Sequence, residues 1–292
     1  MFSGSLVAII TPMRPDGALD FGAWERLVDF HMASGTSAIV VGGTTGESAT
    51  LTDSELWELT QRACAHARKR LQIIVGVGTS STASTVERAR RLSELPIDGV
   101  LVVTPAYNRP TQEGLYQHFA AVSRAARAPV IMYNVPARTA VDMLPTTVQR
   151  LAQLPGIVAV KEAVADQERV RELVAICGKG FVTLSGDDAS ARSSVLAGAK
   201  GVISVTANVA PRAMSDMVAA AMRGDAAAAE RLDEPIAALH RDLFLEPNPI
   251  PAKWALARMG MIGSGIRLPL TELSAQCQPA VLAALSTAGV LS

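Results

Sequence analysis

Eight short apolar runs recur along this 292-residue chain, at 6–10, 38–41, 73–77, 100–103, 130–133, 157–161, 181–185 and 202–205. Runs of Val, Ile, Leu and Ala without polar alternation read as strands buried on both faces, the kind found in parallel sheets. Parallel neighbours need a crossover, and the intervening stretches have helical spacing. Phe21, Trp24, Leu27, Val28 and His31 share one helical face, as do Leu56, Leu59, Thr60 and Ala63 behind an N-cap at Thr52 or Asp53. Further helices are expected near 82–94, 112–127, 145–153, 166–177, 188–198 and 211–223. Eight strand–helix units within residues 1–223 predict an α/β protein of the (β/α)8 TIM-barrel type. A doubly wound open sheet is the alternative, but the first βα turns lack the glycine fingerprint of a dinucleotide-binding version. Residues 224–292 read as a C-terminal helical segment beside the barrel, with helices at 226–245, 250–259 and 279–288. Pro247, Pro249 and Pro251 mark a stiff connection within it.

Composition removes several function classes. Net charge is zero with no charge blocks, which leaves no electrostatic footprint for nucleic acid. Cys64, Cys177 and Cys277 are odd in number and far apart, so neither a disulfide framework nor a metal cluster is expected, and the compartment should be reducing. No apolar run is long enough to span a bilayer, and the N-terminus lacks a signal-peptide pattern. The expectation is a cytoplasmic protein with no membrane partner, no metal and no cofactor.

In a barrel the chemistry sits at the C-terminal ends of the strands. There the sixth run ends in Lys161. Of five lysines (Lys69, Lys161, Lys179, Lys200 and Lys253), only Lys161 ends a strand. Burying an ammonium without a partner is costly, and the usual escape is a lowered pKa that leaves a nucleophilic amine. The competing reading is a lysine snorkelling to solvent. Around it the strand ends supply hydroxyls and Tyr133, not paired carboxylates. His31, His66, His118 and His240 all fall on predicted helices. That set suits Schiff-base chemistry on a carbonyl substrate. Tyr133 ends the neighbouring strand and could relay protons, with Thr44 holding its phenol. The Gly-rich turn 42–46 could bind a small carboxylate through backbone N–H groups, although it also reads as an ordinary βα turn. Arg138 could take a second carboxylate; alone it would read as a surface ion pair. Asp187 and Asp188 are expected to cap the helix that follows them.

Three segments at matching spacing, 43–48 (GTTGES), 133–139 (YNVPART) and 160–163 (VKEA), resemble the dihydrodipicolinate synthase family, within the pyruvate-dependent class I aldolase superfamily. The similarity runs from about residue 4 to the C-terminus and takes in 107–110, 184–189, 202–208 and 246–253. The resemblance implies a Schiff-base-forming lyase of the diaminopimelate and lysine route, in which pyruvate joined to Lys161 condenses with L-aspartate 4-semialdehyde to give 4-hydroxy-tetrahydrodipicolinate. It implies that Tyr133 relays protons, linked to Thr44 and to a Tyr107 donated by a neighbouring subunit. Thr45 would hold the pyruvate carboxylate and Arg138 the carboxylate of the semialdehyde, with Gly186 and the backbone of Ile203 lining the pocket. It also implies a homotetramer, a dimer of tight dimers. Departures exist. Val164 and Ala165 stand where the family often has Thr-Gly, and Ala106 where many members have a second tyrosine. In the lysine-regulated pocket Ser48 and Ala49 are kept. Asp53, Leu56, Ser80, Ser84 and Ala106 replace residues of sensitive members, which implies weak or absent feedback by L-lysine. Other pyruvate-dependent aldolases, such as an N-acetylneuraminate lyase or a keto-deoxy sugar acid aldolase, are the nearest alternative. A non-catalytic keto-acid sensor is the more distant one, and it would have no need of the lysine.

Overall fold

The computed structural model describes residues 2–291. Eight parallel strands close into a barrel in chain order. They are β1 (Gly4–Ala8), β2 (Ala38–Val41), β3 (Gln72–Gly76), β4 (Gly99–Val103), β5 (Val130–Asn134), β6 (Ile157–Glu162), β7 (Val182–Ser185) and β8 (Gly201–Ser204). Closure is made by β1 pairing with β8, Leu6 opposite Ile203. The intervening helices are α1 (Phe21–Ala33), α2 (Asp53–Ala67), α3 (Thr82–Leu92), α4 (Gln112–Ala125), α5 (Pro136–Thr139), α6 (Pro145–Leu151), α7 (Gln167–Ile176), α8 (Ala191–Leu196) and α9 (Pro211–Met222). The helix starts follow from local chemistry. Thr52 and Glu55 form a reciprocal capping box on α2, and Asp20, Ser81, Thr111 and Asp166 accept first-turn N–H groups on α1, α3, α4 and α7.

Two buried clusters explain the unalternating strands. Leu6, Ala8, Val40, Ile74, Leu101, Ile131, Ala159, Leu184 and Ile203 fill the barrel interior. Val7, Ile39, Val75, Val102, Met132 and Val160, on the opposite faces of the same strands, pack under the helices. A strand between an apolar interior and an apolar helix layer must be apolar at every position, while its side chains still alternate in direction. Along β6 that alternation sends Ala159 inward, Val160 outward, Lys161 inward and Glu162 outward.

Several expectations shift. β1 begins two residues earlier than 6–10, at Gly4, and the helix expected over 188–198 is confined to Ala191–Leu196. The long helix expected over 226–245 is broken. It runs as α10 (Ala226–Asp233), a 3-10 turn at Glu234–Ile236 and α11 (Ala237–Asp242). Pro235 lies in that turn, and proline supplies no N–H and clashes with the carbonyl four residues back. Helix α5 and a 3-10 turn at Thr206–Asn208 were not expected. The chain ends in α12 (Ile250–Arg258) and α13 (Gln278–Thr287). α10 packs on α9 and α8, α11 on α13, and α12 on the 206–208 turn that follows β8. Of these helices α12 therefore lies against the strand-end side of the barrel, where the site lies. Among the described residues no helix is long and apolar enough to cross a membrane.

Candidate active site

At the C-terminal ends of the strands lies a cavity of about 410 Å³, lined among others by Thr44, Thr45, Tyr133, Arg138, Lys161, Gly186, Asp187 and Asn248. Lys161 sits at its foot. The strand register puts Tyr133 directly beside Lys161, and the lysine Nζ lies 4.3 Å from the centre of the Tyr133 ring. Lys161 is only 5% exposed, and among the described residues it forms no ion pair. Burial lowers its pKa to about 8; the nearby Asp188 carboxylate opposes the shift and Arg138 adds to it. Near neutral pH a useful fraction of the amine is thus uncharged. Burial pushes the Tyr133 phenol up to about 12, against the Arg138 charge and the Thr44 hydroxyl nearby. The phenol therefore keeps its proton near neutral pH.

Gly186 leaves room for the lysine. A Cβ there would stand 2.9 Å from both Lys161 Cε and the Ala163 methyl. The turn after β2 begins at Gly42 with a φ of 62°, and the N–H groups of Gly46 and Ser48 both donate to the Gly43 carbonyl. Thr11, just beyond β1, fixes the turn by donating to the Gly46 carbonyl at 2.8 Å. The N–H groups of Thr44 and Thr45 donate to no acceptor among the described residues, and both residues border the cavity. A turn with free amides beside a hydroxyl is suited to a small anion. Arg138 projects from α5 and is exposed at the rim.

Not every residue singled out in the sequence meets this cavity. Tyr107 is 94% exposed, has a φ of 73° and stands outside its own chain's cavity. Ile203 is packed in the barrel interior, and Val205 two residues on lines the cavity instead. The two aspartates divide their work. Asp187 accepts from the Ser190 N–H and hydroxyl at the start of α8, as a cap would. Asp188 is not a cap; it is buried and accepts the N–H groups of Val205 and Thr206 at 2.8 and 2.9 Å, joining β7 to the turn after β8. All four histidines lie on helices, on α1, α2, α4 and α11.

Other participants escaped the sequence reading. Phe244 and Asn248 line the cavity from the C-terminal segment. Lys253, unremarkable in sequence, is buried on α12 and paired with Glu47 of the turn. The available signal was Asn248 itself, an amide set between Pro247 and Pro249 where a stiff connection has no need of one. Behind the site Glu162 faces away from the cavity into a network of Asn134, Asp142 and Arg169. Its members lie on β5, β6, α7 and the loop between α5 and α6, and no single periodic pattern in the sequence groups them.

The sequence profile of the dihydrodipicolinate synthetase family matches residues 1–288. The chain is 53% identical over 291 residues to the 4-hydroxy-tetrahydrodipicolinate synthase of Methylococcus capsulatus and 54% identical over 291 residues to that of Alkalilimnicola ehrlichii, covering 100% of each partner. The chloride-inhibited dihydrodipicolinate synthase of Acinetobacter baumannii, solved in complex with pyruvate, superposes with a TM-score of 0.98 at 46% identity over 100% of both chains. The synthase of Cyanidioschyzon merolae with lysine bound superposes at 0.96 with 36% identity over 99% of both. With the fold, the inward lysine and a whole-length match in agreement, the chain belongs to the dihydrodipicolinate synthetase family.

Proposed function

We propose that this chain is a 4-hydroxy-tetrahydrodipicolinate synthase, a lyase of lysine and diaminopimelate biosynthesis that condenses pyruvate with L-aspartate 4-semialdehyde. The observation that carries the reading is the inward Lys161 amine, unpaired and held at a pKa of about 8 beside the Tyr133 ring. The neutral amine adds to the keto carbon of pyruvate, and the carbinolamine loses one water to give the Schiff base. Loss of a methyl proton gives the enamine, whose carbon attacks the aldehyde. The substrate's own amine then displaces Lys161 and closes the ring, so one water leaves for each pair of substrates joined. Tyr133 and Thr44 move the protons, Thr45 and its turn hold the pyruvate carboxylate, Arg138 holds that of the semialdehyde, and Gly186 keeps the lysine clear.

Two further parts belong to the same reading. Tyr107, exposed and clear of its own cavity, serves the site of a neighbouring copy in a homotetramer, and the protein works in the cytoplasm. Feedback by L-lysine is weak, because Asp53 is engaged by Arg88 at 2.7 Å and the Ser80 hydroxyl by the Ala106 carbonyl at 2.9 Å. Half-inhibition by submillimolar L-lysine overturns that part alone.

The test is a coupled assay with pyruvate and L-aspartate 4-semialdehyde, a downstream reductase reporting product through NADPH loss. Turnover is expected in the wild type and absent in Lys161→Ala. A wild type that pyruvate and borohydride trap but that does not turn over sinks the aldehyde assignment and keeps the Schiff base.

A further inference from the structure

The turn that borders the cavity is held from outside the barrel. Asn248, 203 residues downstream of Thr45, donates its Nδ2 to Thr45 Oγ1 at 2.9 Å, and both side chains are buried. Lys253, on the helix that follows, pairs with the buried Glu47 carboxylate of the same turn. The other Glu47 oxygen accepts the Arg267 N–H at 3.1 Å. The turn is thus clasped at two of its residues by the C-terminal segment.

The Asn248 contact has a direct chemical consequence. A hydroxyl carries one proton and two lone pairs. One lone pair of Thr45 is taken by the Asn248 amide, so its proton is free for a different acceptor. Among the described residues no oxygen takes it. The neighbouring free acceptor is therefore whatever occupies the cavity that Thr45 lines. Asn248 itself is kept at some expense, because its Oδ1 is buried without a partner. An apolar side chain of similar volume would fill the space without that cost, but it would leave the Thr45 hydroxyl free to turn away.

We infer that Asn248 is a positioning residue for the substrate carboxylate, aiming the Thr45 proton at it while the Glu47–Lys253 pair holds the turn in place. The inference rests on the pyruvate reading above. It makes the C-terminal segment part of the carboxylate site rather than an appendage to the barrel.

Borohydride trapping of the Lys161 Schiff base at increasing pyruvate concentration tests it. Asn248→Ala should raise the half-saturating pyruvate concentration about tenfold, the scale of one hydrogen bond to a charged group. Thr45→Val should raise it as much or more. The double variant should be no worse than Thr45→Val, because Asn248 acts through that hydroxyl. Multiplying losses would assign Asn248 a separate structural role and overturn the inference, as would wild-type half-saturation in Asn248→Ala. Asn248→Asp keeps the volume but offers Thr45 an acceptor in place of a donor, and should bind pyruvate at least as poorly as the alanine variant. Wild-type half-saturation in Asn248→Asp is equally fatal, and this variant carries the test if Asn248→Ala does not melt cooperatively. A wild type that pyruvate does not label would instead overturn the Schiff-base reading on which all of this stands.

Discussion

A single side chain illustrates how the site works. Lys161 is buried at the strand ends, which disfavours its charge, and that charge is further tuned by two opposed neighbours, Asp188 and Arg138. Schiff-base formation needs the neutral amine. Its rate, read by borohydride trapping, should climb about tenfold per pH unit below pH 8 and level off above it. Asp188 stabilises the ammonium, so removing its charge must lower the lysine pKa further. Asp188→Asn should therefore move the inflection to lower pH. The amide oxygen can still accept the Val205 and Thr206 N–H groups, so the fold should persist. An inflection that stays in place or rises would show that Asp188 does not act on Lys161. The lysine was visible in the sequence as a charge ending an apolar run. Asp188 was not, because a buried carboxylate crossing from β7 to the turn after β8 resembles a helix cap until the strands are side by side.

β5 and β6 present Tyr133 and Lys161 on one face and a polar network on the other. Tyr133 and Lys161 face inward as a registered pair; Asn134 and Glu162, one residue on, face outward as the next pair. There Arg169 of α7 donates to Glu162 at 2.9 Å and to both oxygens of Asp142 at 2.7 and 2.9 Å, and Asn134 donates to both carboxylates. The Glu162 side chain has no exposure, and burial raises its pKa despite the arginine. Removing the cation would leave a buried carboxylate with only neutral donors. Arg169→Ala should cost about 4 kcal/mol at neutral pH, the scale of breaking a buried ion pair. Thermal melting should fall by roughly ten degrees. The deficit should narrow as the pH falls, because a protonated Glu162 no longer needs the cation. Since the pair on the other face shares these backbones, turnover should fall too. A melting temperature within a degree or two of wild type would mean the network does not hold the strands.

On the scale of the whole molecule, one chain holds Lys161, Tyr133, Thr44 and Thr45 around one cavity and leaves Tyr107 out in solvent. If Tyr107 completes the site of a neighbouring copy, two inactive variants should rescue each other. Tyr107→Phe and Lys161→Ala subunits, mixed equally and reassembled, should recover up to about a quarter of wild-type turnover. Half of the tight dimers are then mixed, and each contains one complete site. No recovery from demonstrably mixed assemblies would confine the site to a single chain.

The amino-acid sequence by itself determined the barrel and the strand ends at which Lys161 and Tyr133 meet. Apolar runs with helical crossovers admit few folds, and a strand-end lysine is conspicuous because burial makes it costly. The turn around Thr44 and Thr45 and the short helix bearing Arg138 were legible for a related reason, since each closely follows a strand and so must sit on the C-terminal face of the barrel. Only the tertiary structure decided what holds those groups. Asn248 meets Thr45 across 203 residues, Lys253 meets Glu47 across 206, and Arg169 meets Asp142 and Glu162 behind the strands. Contacts of that kind arise when the barrel closes and the segment around α12 settles at its strand ends. Local spacing leaves no trace of the first two, because their partners lie more than 200 residues apart in the chain.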